Sequence, residues 1–145
     1  MLYFAYASNM NHARMKELCP GARFLKPVVL EGRRFVYDGY SETRQGASAN
    51  IVTSETDVVR GALYEITEKD RLAMDSCENY PKSYDRGEFE VKDVDGNVYR
   101  AMAYFRTGRA AGRPHPDYEK MILAGARDCR LPDDYVDKYI RVIRL

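Results

Sequence analysis

The carboxylate at the end of one predicted helix is the first candidate for chemistry in this sequence. Glu78 ends a helix predicted from Thr67, where a Thr cap is followed three residues later by an acid. Asp75 stands three residues before Glu78 on the same helical face, and two carboxylates that share a pocket raise the pKa of one of them. The negative end of the helix dipole also disfavours a charged acid. Glu78 is therefore a candidate general acid and base, with a solvated surface carboxylate as the alternative.

The loop after the first predicted strand is the second candidate. Ser8, Asn9 and Asn11 follow that strand and are typical of a turn that caps a helix. Such a turn places the backbone N–H groups of residues 7 to 10 near a helix start, where they can bind a carboxylate or a developing oxyanion. Because Ser-Asn turns are also common as simple caps, the loop alone does not decide between these roles.

The histidines and cysteines favour neither a thiol nucleophile nor a metal site. Cys77 lies beside Glu78, but His12 opens a predicted helix and His115 stands between two prolines, so no spacing indicates a Cys–His pair. Two isolated histidines and no CxxC pair also give no metal-ligand pattern. We interpret Cys77 as a small residue at a helix end that faces the core.

A stretch rich in Gly, Arg, Ala and Pro, Thr107–Pro116, is the last chemical candidate. It contains Arg109 and Arg113 and follows directly after Arg106. The guanidinium groups of these three residues could bind a phosphate or a carboxylate. It lacks the strand–loop–helix pattern of nucleotide-binding loops. A solvated mobile loop and a lid beside a substrate site are the two interpretations.

Short strands and a few helices must position these residues. Strands are predicted at Leu2–Tyr6, at Arg23–Tyr37 as two strands interrupted at Glu31 and Gly32, and at Ala47–Val52, Val58–Ile66, Tyr84–Val91 and Val98–Tyr104. Helices are predicted at His12–Leu18, Thr67–Glu78, Asp117–Arg127 and Pro132–Val142, and polar loops at Asp38–Gly46 and Thr53–Asp57. This pattern favours an α+β fold, a small mixed β-barrel flanked by helices.

The composition limits the class of protein. The chain has 145 residues, and 23 Lys and Arg against 22 Asp and Glu leave a net charge of +1. That length predicts one domain over residues 1–145, and the balanced charge argues against a nucleic-acid partner. No apolar run approaches the roughly 20 residues of a membrane helix. Three cysteines without a CxxC pair, and no signal core, predict a reducing, cytoplasmic setting.

Three motifs in the right order resemble the γ-glutamylcyclotransferase family, which includes the AIG2-like proteins. The family's opening motif is a strand that ends in Tyr-Gly-Ser-Asn-Leu or Met, matched here by Tyr6, Ala7, Ser8, Asn9 and Met10. Its Leu-Asp-x-x-Glu motif and the Tyr-x-Arg strand that follows are matched by Met74, Asp75, Glu78, Tyr84 and Arg86. The segment from PHPDYEKM is similar to the tail of glutathione-pathway members and holds Tyr118. The likeness covers almost the whole chain.

The resemblance implies a barrel with a substrate cavity at its mouth and a reaction that needs no cofactor and no metal. The α-amine of a small γ-glutamyl compound attacks its own γ-carbonyl and gives 5-oxoproline and a free amine. Glu78 would move the protons as the catalytic residue. Substrate contacts would come from the loop Tyr6, Ala7, Ser8, Asn9 and Met10, from Tyr84 and from Tyr118. The family likeness also suggests a homodimer.

Two departures and two alternatives remain beside this expectation. Ala7 replaces the family's usual Gly, and Asn79 stands where many members have Gly after the glutamate, although Asn tolerates a left-handed backbone. One alternative is a binding or regulatory module that holds a γ-glutamyl-like ligand without turnover. The other is an enzyme of the same fold that acts on γ-glutamylamines, such as an amide of lysine, or on a γ-glutamyl-acylated antibiotic. The sequence does not name the leaving amine.

Overall fold

The computed structural model describes residues 1–142, which form a closed β-barrel with helices outside it. The strands are β1 (Leu2–Ala5), β2 (Arg23–Ser41), β3 (Gly46–Glu65), β4 (Asp85–Lys92) and β5 (Val98–Phe105). The helices are α1 (His12–Leu18), α2 (Glu68–Cys77), α3 (Pro116–Asp128) and α4 (Asp133–Tyr135), with a 3₁₀ turn at Ser8–Met10 and a π-helical turn at Val136–Ile140. None of the helices within residues 1–142 is long and apolar enough to span a membrane.

The barrel is mixed, as predicted, because one of its contacts is parallel. Strand order is β1-β3-β2-β4-β5, and β1 closes the barrel against β5 in parallel where Tyr3 meets Met102. All other pairings are antiparallel. Where β1 ends against β3, a Cβ on Gly61 would lie 2.1 Å from the carbonyl oxygen of Ala5. Only glycine permits that close approach.

Two predicted strand interruptions are wrong. The two strands predicted within Arg23–Tyr37 form one continuous strand, β2, which extends to Ser41. Likewise, the strands predicted on either side of the Thr53–Asp57 loop form one continuous strand, β3. The two long strands pair with each other, so both irregularities occur at one register shift, between Glu31 and Arg33 of β2. Gly32 takes a positive φ of 81° there. Gly32 therefore lies at an irregularity within the strand pair and does not end the strand.

The predicted polar loop Asp38–Gly46 is also shorter than expected. Its first residues, through Ser41, continue β2, and only residues 42–45 form the turn to β3. The reason is that Asp38 is 2% exposed and lies in an ion pair with buried Arg106, which no local sequence signal indicates.

The Arg-rich stretch Thr107–Pro116 is held along the ends of β2 and β3 by backbone hydrogen bonds. The N–H of Gly39 donates to Ala110 O at 2.9 Å, and the N–H of Ala47 donates to Arg113 O at 2.9 Å. These hydrogen bonds tie the stretch to both strands of the β2–β3 hairpin, while residues 107–113 remain exposed to solvent.

Helix α2 ends where the candidate carboxylate stands. It begins with a capping box in which the Thr67 hydroxyl accepts from Asp70 N–H at 3.1 Å and the Asp70 carboxylate accepts from Thr67 N–H at 3.0 Å. The helix ends at Cys77, and Glu78 is its C-cap. Asn79 then takes a φ of 52°, so the left-handed backbone expected of Asn at this position is confirmed.

Helix α3 fixes the loop after β1 through a glycine. A Cβ on Gly125 would lie 2.5 Å from the backbone nitrogen of Asn11 and 2.7 Å from the carbonyl carbon of Met10. Backbone atoms cannot move aside as a flexible side chain can. The absence of a side chain at this position therefore lets α3 pack directly on the turn.

We expect Gly125→Ala to destabilise the protein even though alanine is the better helix former. The helix-propensity gain is about 1 kcal/mol, whereas overpacking costs about 1–3 kcal/mol, and contacts this short belong at the upper end. Urea denaturation measures the change in the free energy of unfolding. Lys120→Ala, on an exposed position of the same helix, is the control. An unchanged or increased stability of Gly125→Ala would contradict the packing argument.

Candidate active site

A cavity of about 30 Å³ lies at the barrel mouth and brings most of the predicted site residues together. Predicted residues that line it are Tyr6, Ala7, Ser8, Asn9, Glu78, Tyr84 and Tyr118. Met10 does not line it: its side chain is fully buried, and its N–H donates to Ala7 O at 3.0 Å. The cavity therefore unites the end of α2, the loop after β1, the start of β4 and the first turn of α3.

Glu78 faces this cavity as a half-buried carboxylate without a partner. Within residues 1–142 its side chain makes no hydrogen bond or ion pair. The protein atoms packed around it raise the pKa of Glu78, and the nearby charges of Arg44, Arg14 and Arg106 lower that pKa in part. A carboxyl group whose pKa moves towards neutrality can both accept and return a proton.

The predicted partnership of Asp75 with Glu78 is wrong. Asp75 does not line the cavity: it forms ion pairs with Arg86 and, at 3.8 Å, with Arg71, and it accepts from the Tyr104 hydroxyl at 2.6 Å. Its charge is therefore balanced locally and does not contribute to the raised pKa of Glu78, whose first cause is burial.

The loop after β1 offers backbone donors to the cavity. Ser8 and Asn9 open the 3₁₀ turn, so their N–H groups have no acceptor within it, and no other acceptor within the described residues binds them. Ala7 has a negative φ of −134°, so this position does not need the positive φ for which glycine is favoured. The Ala-for-Gly departure is therefore compatible with the loop.

Two tyrosine hydroxyls from different parts of the chain bind the backbone of one residue of β3, Ala49. Tyr84 donates its hydroxyl hydrogen to Ala49 O at 2.7 Å, and Tyr118 accepts from Ala49 N–H at 3.2 Å. A tyrosine hydroxyl has one hydrogen to give. The hydroxyl of Tyr118 therefore keeps its hydrogen for an occupant of the cavity, whereas Tyr84 can only accept.

Four lining residues were not predicted from the sequence: Tyr3, Arg44, Ala49 and Tyr104. Tyr3 and Tyr104 alternate inward on β1 and β5, so the period-two pattern could have placed them on the inner face. Arg44 lies in the turn between β2 and β3, where no local pattern gives the direction of a side chain. Five of the 12 tyrosines of the chain line the cavity: Tyr3, Tyr6, Tyr84, Tyr104 and Tyr118.

An outer vestibule of about 640 Å³ continues the cavity towards solvent. The two spaces share Arg44, Glu78 and Tyr84, so the carboxylate stands at their boundary. The position of Cys77 differs from the prediction, because this residue also lines the vestibule. Its thiol is exposed and accepts from Arg14 Nη2 at 3.4 Å, so the predicted core-facing placement is wrong. Cys77 is the last residue of α2, at the helix end that borders the vestibule.

His12 lies beside a different cysteine, which the sequence did not predict. The Sγ atom of Cys129 is 3.8 Å from Nε2 of His12. Burial, and then the charge of Asp128, raise the pKa of Cys129 to about 12. The thiol therefore stays protonated near neutral pH and is not an activated nucleophile.

Comparison with known proteins places the chain in a family. A model described as the AIG2-like family matches residues 58–139, which is more than half of the chain. The chain belongs to the AIG2-like family. The matched segment of this AIG2-like protein includes Glu78, Tyr84 and Tyr118.

Relatives of this AIG2-like protein carry an enzyme's name. Proteins named gamma-glutamylcyclotransferase from Mus musculus and from Homo sapiens are each 28% identical over 142 residues, covering 94% of this chain and 76% of the relative. A solved structure named gamma-glutamyl cyclotransferase is 27% identical, with a TM-score of 0.89 over 95% of this chain and 85% of that chain. The expected barrel fold is thereby confirmed.

Proposed function

We propose that this protein is a γ-glutamylcyclotransferase, a cyclising acyltransferase that releases 5-oxoproline and a free amine from a γ-glutamyl compound. The observation that carries the proposal is the unpartnered carboxylate of Glu78, which faces the same cavity as the free N–H groups of Ser8 and Asn9. The names of the related proteins support it.

Proton transfer is assigned to Glu78. Its carboxylate removes a proton from the α-ammonium group, and the amine then forms a bond to the γ-carbonyl carbon. When the γ-amide C–N bond breaks, the carboxyl group returns that proton to the leaving amine. The carboxylate then takes the second proton from the new ring nitrogen, which leaves the neutral lactam, and passes it to the freed amine. A carboxyl group with a raised pKa suits both steps, because its ionised form is a stronger base than an ordinary carboxylate and can still return the proton.

Stabilisation of the tetrahedral intermediate is assigned to the loop after β1. The oxyanion would accept from the N–H groups of Ser8 and Asn9, and one well-placed donor contributes about 3 kcal/mol. The Tyr118 hydroxyl has a hydrogen to donate to the glutamyl end, and the Tyr84 hydroxyl can accept from its ammonium group. Since ring closure is intramolecular, holding the chain folded supplies much of the rate.

The direct test is a 5-oxoproline assay with purified protein and a panel of γ-glutamyl amino acids, peptides and amines. We expect at least one member to give equal amounts of 5-oxoproline and free amine. If ligands bind but none is converted, the protein is a binding module, and the proposal of turnover fails.

We expect alkylation of Cys77 to block the enzyme. Iodoacetamide would react with this exposed thiol first, because Cys19 and Cys129 are buried and burial raises the pKa of each to about 12. The added group would obstruct the vestibule beside Glu78 and lower kcat/KM about tenfold or more. Mass spectrometry identifies the modified site.

The matched control is Cys77→Ser, which keeps the size of the side chain and removes the reactive sulfur. This variant should retain activity and lose its sensitivity to iodoacetamide. Full activity of the wild-type protein after stoichiometric alkylation of Cys77 would contradict the placement of the vestibule on the substrate path.

A further inference from the structure

The vestibule outside Glu78 has an unusual balance of charge. Four arginines line it, Arg14, Arg44, Arg106 and Arg109, whereas Glu42 and Glu78 are its only acidic lining residues within the part of the chain that the structure describes. The leaving amine of a substrate would lie in this space, close to the guanidinium groups. The charge of the vestibule therefore affects which leaving amines the site accepts.

One of the four arginines is already neutralised. Arg106 is 8% exposed and forms its ion pair with buried Asp38, whose backbone carbonyl also accepts from Arg106 Nη2 at 2.8 Å. The other three, Arg14, Arg44 and Arg109, have no carboxylate within ion-pair distance among residues 1–142. Three cations thus face the vestibule without an ion-pair partner in the described part of the chain.

Arg44 has the geometry of a ligand-binding residue. Its guanidinium carbon lies 4.4 Å from the ring centroid of Tyr118, which holds the planar group in place. Among residues 1–142, no acceptor binds its guanidinium N–H groups, which a carboxylate can engage in pairs. Arg14, by contrast, already donates from Nε to Asn9 Oδ1 at 3.1 Å and from Nη2 to Cys77.

We infer that Arg44 determines specificity by binding a carboxylate on the leaving amine, so that the preferred substrates are γ-glutamyl compounds whose amine half is anionic. This inference rests on the proposed function. Arg44 lines both the inner cavity and the vestibule, so it can reach a group attached close to the scissile amide on the outer side of Glu78. Arg14 and Arg109 add positive potential further out.

The same arrangement disfavours cationic leaving amines. A γ-glutamyl polyamine or aminoglycoside would bring an ammonium group beside three guanidinium groups that have no ion-pair partner among residues 1–142, and like charges a few ångströms apart repel even in a partly hydrated site. Of the leaving amines that the sequence left open, the vestibule therefore favours amino acids and peptides with a free carboxylate.

The experiment compares binding of γ-glutamyl-alanine with binding of γ-glutamyl-alaninamide, which lacks the outer carboxylate and is otherwise matched. Calorimetry on the Glu78→Gln protein avoids turnover during the titration. We expect the amide to bind about 10- to 100-fold more weakly, as for loss of a charged hydrogen bond, and γ-glutamyl-putrescine to bind no better than the amide. In the Glu78→Gln background, Arg44→Gln should remove the preference for the carboxylate, and Arg44→Lys should restore part of it.

Arg127→Gln, at an exposed arginine of α3 outside the vestibule, is the matched control and should keep the full preference. Equal affinity for the two ligands, no binding of either, or a preference that survives Arg44→Gln would overturn the inference. The last result would follow if Arg44 binds the α-carboxylate of the glutamyl half, which both ligands share. Selective binding with no 5-oxoproline from the wild-type protein would contradict the proposed turnover alone.

Discussion

Glu78→Gln is expected to lower kcat for 5-oxoproline release about 10³-fold, the usual contribution of a positioned general acid and base. Glutamine keeps the size and polarity of the side chain but can neither take the proton from the α-ammonium group nor return it to the leaving amine. Binding of the γ-glutamyl compound should persist, because the loop after β1, Tyr84 and Tyr118 are unchanged. Single-turnover kinetics with saturating substrate separates the two effects.

The same variant should be more stable than the wild-type protein at neutral pH. Burial raises the pKa of Glu78, so the folded protein holds this proton more tightly than the unfolded chain does. The stability that this carboxyl group contributes is present below its unfolded pKa and is lost as the pH rises through its folded pKa. Glutamine carries no charge to bury, so the melting temperature of Glu78→Gln should exceed that of the wild-type protein at neutral pH and match it in acid.

Glu55→Gln is the matched control, because Glu55 is an exposed carboxylate of β3 with no ion pair in the described part of the chain. It should change neither the rate nor the melting temperature at neutral pH. A Glu78→Gln protein that turns over at the wild-type rate would remove Glu78 from the mechanism. Lower stability of Glu78→Gln at every pH would instead show that its carboxylate has a structural partner.

The parts of the site that the sequence predicts depend on local signals. The capping box of Thr67 starts α2, and the backbone turn at Asn79 ends it, so the position of Glu78 follows from about ten residues of sequence. The loop of Ser8 and Asn9 is equally local, since a strand, a turn and a helix follow one another there. Short-range hydrogen bonds of this kind are encoded beside the residues that they position.

The parts that the sequence does not predict depend on contacts between distant segments. Asp38 and Arg106 are 68 positions apart, and Asp38 alone resembles a turn residue. The single long pairing of β2 with β3 is likewise fixed by the partner strand, because each strand alone contains residues that typically end a strand. The direction of the Arg44 side chain depends on its contact with the ring of Tyr118, which lies 74 positions later in the chain. Spacing along the chain encodes none of these contacts.

Asp38→Asn is expected to lower the free energy of unfolding by about 3 kcal/mol or more, which makes it the largest predicted effect on stability. Asp38 and Arg106 are both buried, at 2% and 8% exposure. Loss of the Asp38 charge leaves the guanidinium group buried without a counter-ion. Asn50 Nδ2 and the N–H of Arg109 also bind the Asp38 carboxylate, at 3.2 and 3.0 Å, and asparagine keeps an oxygen for them. The loss therefore reports mainly on the ion pair.

A double-mutant cycle with Arg106→Met tests this assignment. Arg106→Met removes the buried cation, so adding Asp38→Asn to it should cost less than Asp38→Asn costs alone, with a coupling energy of about 1–3 kcal/mol. Glu65→Gln breaks the exposed Arg23–Glu65 pair and should cost less than about 1 kcal/mol. Additive losses in the cycle would contradict the ion pair as the source of stability.

The ion pair also supports the cavity. The guanidinium carbon of Arg106 lies 4.7 Å from the ring centroid of Tyr84, which forms a wall of the cavity. Asp38→Asn should therefore weaken γ-glutamyl binding as well.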